Sequence, residues 1–149
     1  MLVKDVMSRK VRSITPETTI AEVMSMMRFY HCDGLPVAVN NELVGYIEHK
    51  DLIEAFFAET AGSESANKFD IEKIRNGNGS IAKQAVQGIM NISKTPVSPL
   101  MHINEVISMM IEDNVCQLAV TEGNRLVGTI GFDEINKAIL SLASTKVAA

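Results

Sequence analysis

A chain of 149 residues, 46% hydrophobic and 21% charged, has the composition of an ordinary globular protein. Folding at that length removes roughly 68–70% of the unfolded surface from water, enough for one domain or two small fused halves. The formal charge of −4 comes without a basic face, which argues against a nucleic-acid partner.

Two distant cysteines, Cys32 and Cys116, form no CxxC, and with His31, His49 and His102 they match no zinc spacing, so neither a disulfide framework nor a metal site is expected. Both cysteines read as small buried hydrophobes. The opening "MLVKDVMSRK" lacks the apolar core of a signal peptide, and no run approaches the ~18–20 apolar residues of a membrane span. The expectation is a protein of the reducing cytoplasm with no membrane partner.

In chain order, Val11 to Ile14 is a short run stopped by Pro16 and reads as a strand. Thr19 to Tyr30 carries apolar residues at 20, 23, 24 and 27, one face of a helix, and Thr19 followed by Glu22 three positions on is a capping box. Leu35 to Val39 and Leu43 to Ile47 are apolar strands joined through "NNE", where asparagine tolerates a left-handed backbone. Helical spacing returns from about His49 to Phe57. The stretch "AETAGSESANKFDIEKIRNGNGS" (58–80) turns small and polar, with a short helix expected at 67–75 and a flexible Gly77-Asn78-Gly79-Ser80 end.

The same order then recurs. A shift of 83 residues aligns 7–52 with 90–135 without a gap and gives 15 identities over 46 positions, including Met7 with Met90, Pro16 with Pro99 and Gly45 with Gly128. A repeat of that length is a supersecondary unit that closes a core only against its copy. In the second copy His102 stands where Thr19 caps the first, which should weaken that cap, and Gly123 serves the second hairpin turn. The methionines at 24, 26, 27, 109 and 110 read as helical core or interface. The expected organisation is residues 1–60 as one repeat, 61–82 as an insertion and 83–145 as the second repeat.

These residues resemble tandem CBS (cystathionine β-synthase) domains paired as a Bateman module. The matching pieces are "DVMS" (5–8), "ITP" (14–16), "LPVAV" (35–39) and "LVGYIEHKDL" (43–52), then "GIMN" (88–91), "VSP" (97–99), "LAV" (118–120) and "LVGTIGFDEI" (126–135). The resemblance implies an α/β (α+β) fold: two β-α-β-β-α repeats packed sheet to sheet with pseudo-twofold symmetry. It further implies two clefts that hold adenosyl compounds such as AMP, ADP, ATP or S-adenosylmethionine, with or without Mg. Similar modules usually form homodimers, and they sense rather than catalyse. No Ser-His-Asp or Cys-His arrangement shares a strand-end scaffold here, so no enzyme is expected.

In the family pattern, Gly is followed by two apolar residues, Ser or Thr, two variable residues and Asp. The aspartate takes the two ribose hydroxyls and the hydroxyl side chain contacts phosphate. Gly45 and Asp51 fit that pattern, while Glu48 replaces the hydroxyl residue. Two readings of Asp51 stand side by side: a ligand carboxylate accepting two hydrogen bonds, or a helix first-turn acid worth ~0.3–1 kcal/mol against the dipole. A phosphate ~4 Å from Glu48 at an effective dielectric of ~20 would meet a repulsion on the order of 4 kcal/mol, roughly a thousandfold in affinity, which His49 and Lys50 would offset in part. That cleft is therefore expected to prefer a nucleoside, a cation-bridged nucleotide or a sulfonium. The second copy has Gly131 at the hydroxyl position and Glu134 at the aspartate position, and is expected to be the weaker or empty site. The adenine-lining positions carry over to Ser13, Ile14, Leu35 and Pro36, and to Pro96, Val97, Leu118 and Ala119, all equally readable as plain core.

The leading expectation is a non-catalytic module that senses an adenosyl ligand and signals to a regulated protein the sequence does not name. The alternative is a ligand-independent dimerisation or adaptor module, favoured by the departures at 48, 131 and 134.

Overall fold

The computed structural model describes residues 1–61, 72 and 80–148. The chain is α+β. Its elements are α1 (Val3–Val6), α2 (Ile20–Tyr30), β1 (Gly34–Val39), β2 (Glu42–Glu48), α3 (His49–Ala61), two 3-10 turns (Ile81–Lys83 and Val86–Gly88), α4 (Ile103–Glu112), β3 (Gln117–Glu122), β4 (Arg125–Gly131) and α5 (Phe132–Ala148). The strands form a four-stranded antiparallel sheet in the order β1-β2-β4-β3, with Glu42 opposite Arg125 and Leu118 opposite Ile130. Most of the expected short helix at 67–75 and of the Gly77–Ser80 end lies outside the described residues.

Local chemistry sets the element ends. The Thr19 hydroxyl accepts from the Glu22 N–H at 3.2 Å and Glu22 accepts from the Thr19 N–H at 3.4 Å, closing the capping box on α2. His102 makes no side-chain cap on α4. Both helices stop at a left-handed residue, His31 (φ 53) and Asn114 (φ 52), a stop the sequence did not announce because neither position is glycine. In the first hairpin Asn40 (φ 52) and Asn41 (φ 68) are both left-handed, as a primed two-residue turn requires, whereas in the second only Gly123 (φ 62) is.

The chain divides into two compact units that exchange segments relative to the repeats. One comprises residues 13–39 and 44–93 and contains Asp51; the other comprises 1–12, 40–43 and 94–149 and contains Glu134. The Asp51 unit packs Ile20, Val23 and Met27 of α2 against Leu35, Val37 and Ile47 of the hairpin, with Leu52 and Phe56 of α3 and Ile81 and Val86 beyond the insertion. The Glu134 unit packs Val3 and Met7 with Ile103, Val106 and Met110 of α4, Leu118, Val120 and Ile130 of the strands, and Ile135 of α5.

The glycine of each "LVG" explains how each unit takes its opening segment. Asn91 and Tyr46 exchange two backbone hydrogen bonds (2.9 and 2.8 Å), and a Cβ on Gly45 would lie 2.7 Å from the Met90 sulfur. Ser8 and Thr129 do the same (2.8 and 3.0 Å), and a Cβ on Gly128 would strike the Ser8 carbonyl oxygen. Glycine stands where a neighbouring backbone crosses too closely for any side chain.

Three expectations change. Val11 to Ile14 is no strand: Ile14 alone bridges Val37 in parallel, and Val97 bridges Val120 likewise. Cys116 is exposed rather than buried, and Cys32 is half-buried, because Cys116 lies in the connection just before β3. Of the methionine stripe, Met27 and Met110 are buried and Met26 and Met109 half-buried, but Met24, beside Val23 on the flank of the packed face, is 43% exposed.

Candidate functional site

In the Asp51 unit β2 runs straight into α3, so Glu48 is the N-cap residue and Asp51 the third residue of the helix. The Glu48 N–H donates to Asp51 Oδ2 at 2.8 Å, which makes the carboxylate half of a capping box. The structural reading of Asp51 is thus realised, yet it uses one oxygen; Oδ1 makes no hydrogen bond among the described residues. Burial, and then the Glu54 carboxylate, push the Asp51 carboxyl above its ordinary range, with Lys50 pulling the other way.

The residues expected to line this site converge on one end of the hairpin. The Ile14 N–H donates to the Pro36 carbonyl (3.0 Å) and the Ala38 N–H to the Ile14 carbonyl (2.8 Å), laying Ser13 and Ile14 alongside Leu35 and Pro36. The His49 N–H reaches the Asp33 carbonyl at 3.4 Å, tying the start of α3 to the entrance of β1. Ser13 is exposed, but Ile14 and Leu35 belong to the core and Pro36 is buried. His49 is exposed and Glu48 half-buried; Lys50 pairs with Glu54 at 3.9 Å on the solvent side.

The Glu134 unit repeats this construction. The Gly131 N–H donates to Glu134 Oε2 at 2.9 Å, again from N-cap to third helical residue, and Oε1 is left without a hydrogen bond among the described residues. The Phe132 N–H reaches the Cys116 carbonyl at 3.2 Å, the counterpart of the His49 to Asp33 bond. Gly131 is buried, and a Cβ there would lie 3.0 Å from the Cys116 carbonyl oxygen, so this strand end is too tight to take the hydroxyl residue of the family pattern without a shift. The Val97 N–H donates to the Ala119 carbonyl at 2.9 Å and the Thr121 N–H to the Val97 carbonyl at 2.9 Å. Val97, Leu118 and Ala119 are buried and Pro96 is half-buried.

A cavity of about 440 Å³ opens beside Glu134, bounded by Asp5, Met7, Ser8, Lys10 and Lys137 among others. It could not be read from the sequence, because residues 5–10 and 134–138 are far apart in the chain. Among the described residues no three His, Cys, Asp or Glu side chains gather as a metal set, and no helix is long and apolar enough to cross a membrane.

Two carboxylates at equivalent helix starts, each beside a strand–hairpin crossing and each half-engaged by its own backbone, repeat a whole unit rather than a motif. The CBS domain family model matches residues 3–58 and 86–141. The chain belongs to the CBS domain family. It is a tandem CBS pair, and its fold is that of solved CBS pairs. A protein assigned to acetoin utilization (AcuB) from Vibrio cholerae superposes with a TM-score of 0.79 at 18% identity, over 100% of this chain and 97% of that one. CBSX2, solved in complex with AMP, superposes at 0.74 with 20% identity, over 95% and 98%. The CBS pair of protein MJ0100, solved with 5′-methylthioadenosine and S-adenosyl-L-methionine, superposes at 0.67 with 20% identity, over 95% and 97%.

Proposed function

We propose that this CBS pair is a non-catalytic regulatory module that binds an adenosyl ligand and passes its occupancy to a partner protein. The observation that carries the reading is the pair of half-used carboxylates. Asp51 and Glu134 are each fixed by one backbone N–H, which sets the side-chain rotamer and leaves the second oxygen for an external donor. A carboxylate so held suits vicinal ribose hydroxyls, since charge-assisted hydrogen bonds of this kind contribute about 1.5–3 kcal/mol each. The AMP in CBSX2 and the two adenosyl compounds in MJ0100 support that ligand class.

Signalling requires the ligand to favour one conformational state over another, since a ligand with equal affinity for both shifts nothing. Homodimerisation fits the apolar side chains left outside the two cores, among them Phe29 (77% exposed), Ile111 (66%) and Leu140 (68%). Sedimentation of the purified chain checks it: a two-chain mass is expected, and a monomer at micromolar concentration contradicts it.

A second reading, a ligand-independent dimerisation or adaptor module, draws on the burial of Ile14, Leu35, Val97 and Leu118, which are engaged in their own cores. A thermal-shift screen with AMP, ADP, ATP, S-adenosylmethionine and adenosine, each with and without Mg, separates the two. A ligand at 100 times its Kd adds ~2.7 kcal/mol, a rise of roughly 5–10 °C at this size. No rise with any adenosyl compound selects the adaptor reading.

A further inference from the structure

We infer that Lys94 and Cys116 form an acyl-acceptor site: the Cys116 thiol takes an acyl group from a small thioester by exchange, and the Lys94 amine then captures that group as an amide. This chemistry is separate from adenosyl binding and holds or fails without it. The pairing of two chain segments brings the residues together, both within one compact unit. The Val97 N–H donates to the Ala119 carbonyl and the Thr121 N–H to the Val97 carbonyl, both at 2.9 Å, so Val97 stands opposite Val120 in a parallel bridge. Residues 93–96 form neither helix nor turn, and Pro96 favours an extended Thr95 because its ring crowds the helical conformation of the residue before it. Two extended chains in parallel keep step, so three residues back from Val97 the chain places Lys94 abreast of Gln117 and next to Cys116.

The two groups divide the work by exposure. Cys116 is exposed, while its carbonyl accepts from the Phe132 N–H at 3.2 Å and so pins the backbone from which the thiol projects. Its thiolate attacks the carbonyl carbon of a dissolved thioester, the donor's thiolate departs, and the acyl group stays on Sγ. One carbon–sulfur bond replaces another, so little energy separates the two sides. Lys94 is half-buried, and burial holds its amine at about 8 with the Cys116 side chain in electrostatic reach. A substantial share of that amine is uncharged and nucleophilic near neutral pH, unlike an exposed lysine. It attacks the Sγ-bound carbonyl, a carbon–nitrogen bond forms as the carbon–sulfur bond breaks, and the proton lost by nitrogen returns to sulfur. Proximity makes the second step intramolecular, and the thiol is regenerated. A neutral amide suits the half-buried position better than an ammonium does.

Incubation of the full chain with acetyl-coenzyme A as the probe thioester, followed in time by peptide mass spectrometry, tests this. Lys94 should be acetylated at least roughly tenfold faster than the exposed Lys4, Lys50 and Lys137, which report direct attack on the thioester. Cys116→Ser should bring Lys94 down to the rate of those lysines; the residue is exposed, so the substitution leaves both cores intact. Lys94→Met should strand the acetyl group on Cys116, where hydroxylamine removes it, and the half-buried Cys32 should carry less. Lys94 acetylated equally fast in Cys116→Ser, or no faster than the exposed lysines in the unsubstituted chain, would overturn the inference. So would Cys116 free of acetyl in Lys94→Met.

Discussion

Gly128→Ala is the substitution for which the structure gives the sharpest magnitude. The new methyl would strike the carbonyl oxygen of Ser8 and come within 2.6 Å of the Met7 methyl, and a backbone oxygen cannot rotate out of the way. The Ser8–Thr129 pairing must open, losing two hydrogen bonds of 2.8 and 3.0 Å worth about 0.5–1.5 kcal/mol each, with ~1–3 kcal/mol of overpacking if it opens only partly. Against this, alanine restricts the unfolded chain and returns ~0.4–1 kcal/mol. The net expectation is a loss of about 2–4 kcal/mol, or about 5–12 °C in Tm at this chain length. Gly45→Ala is the internal control. Its methyl meets the side chain of Met90, sulfur at 2.7 Å and Cγ at 3.1 Å, and a flexible, half-buried methionine can swing aside, so the loss should stay below about 1.5 kcal/mol. Urea unfolding of both variants at unchanged m reads the difference. Gly128→Ala as stable as the unsubstituted chain, or Gly45→Ala the costlier of the two, would refute the close-crossing account of these glycines.

Four further outcomes follow from named groups. Thr19→Ala should cost about 1 kcal/mol by chemical denaturation and His102→Ala close to nothing, because only the first residue caps its helix; equal losses would contradict this. Glu48→Thr should improve metal-free AMP binding at the Asp51 site by at least roughly tenfold, measured in a Glu134→Gln background, and an unchanged affinity would remove the electrostatic argument against phosphate there. Burial lowers the Lys94 amine to about 8, with the neighbouring Cys116 side chain pulling upward. Its folded pKa lies below its unfolded 10.5, so the unfolded chain binds more protons between the two values and stability should rise as pH climbs from about 8 to 10.5. Lys94→Met should flatten that rise and stabilise the protein at pH 7 by about 1 kcal/mol after allowance for solvent screening; a rise that persists in the variant would assign it elsewhere. The Asp51 carboxyl is shifted upward from 3.8, the reverse of the usual acidic-residue case, so its contribution to stability should decline as pH rises through the window just above that value. Asp51→Asn should abolish that decline in urea-unfolding series taken between pH 4 and 6.

Much of the fold was legible because it is local. The spacing of Ile20, Val23 and Met27, the Thr19–Glu22 box and the Asn40–Asn41 turn each depend on residues within one or two turns of one another. The 83-residue repeat disclosed the family. What stayed hidden is non-local. A single bridge at Ile14 cannot be told from a strand by composition, and four residues of α1 offer no period; its helix turn is held by Asp5 reaching the Leu2 N–H. The exchange of residues 1–12 and 81–93 between the compact units depends on glycines whose role appears only when the crossing backbone is seen. The site divides in the same way. The positions of Asp51 and Glu134 were readable from the pattern after each "LVG", but their N–H partners were not, nor was the cavity that Lys10 and Lys137 border.

The claim that a carboxylate at the start of α3 receives a sugar's neighbouring hydroxyls is tested most directly by calorimetry with adenosine and 2′-deoxyadenosine on the Glu134→Gln chain. Removing one hydroxyl from a charge-assisted pair should weaken binding by roughly tenfold or more, and Asp51→Ala should erase the difference. Equal affinity for the two nucleosides, or an unaltered preference in Asp51→Ala, would contradict the account.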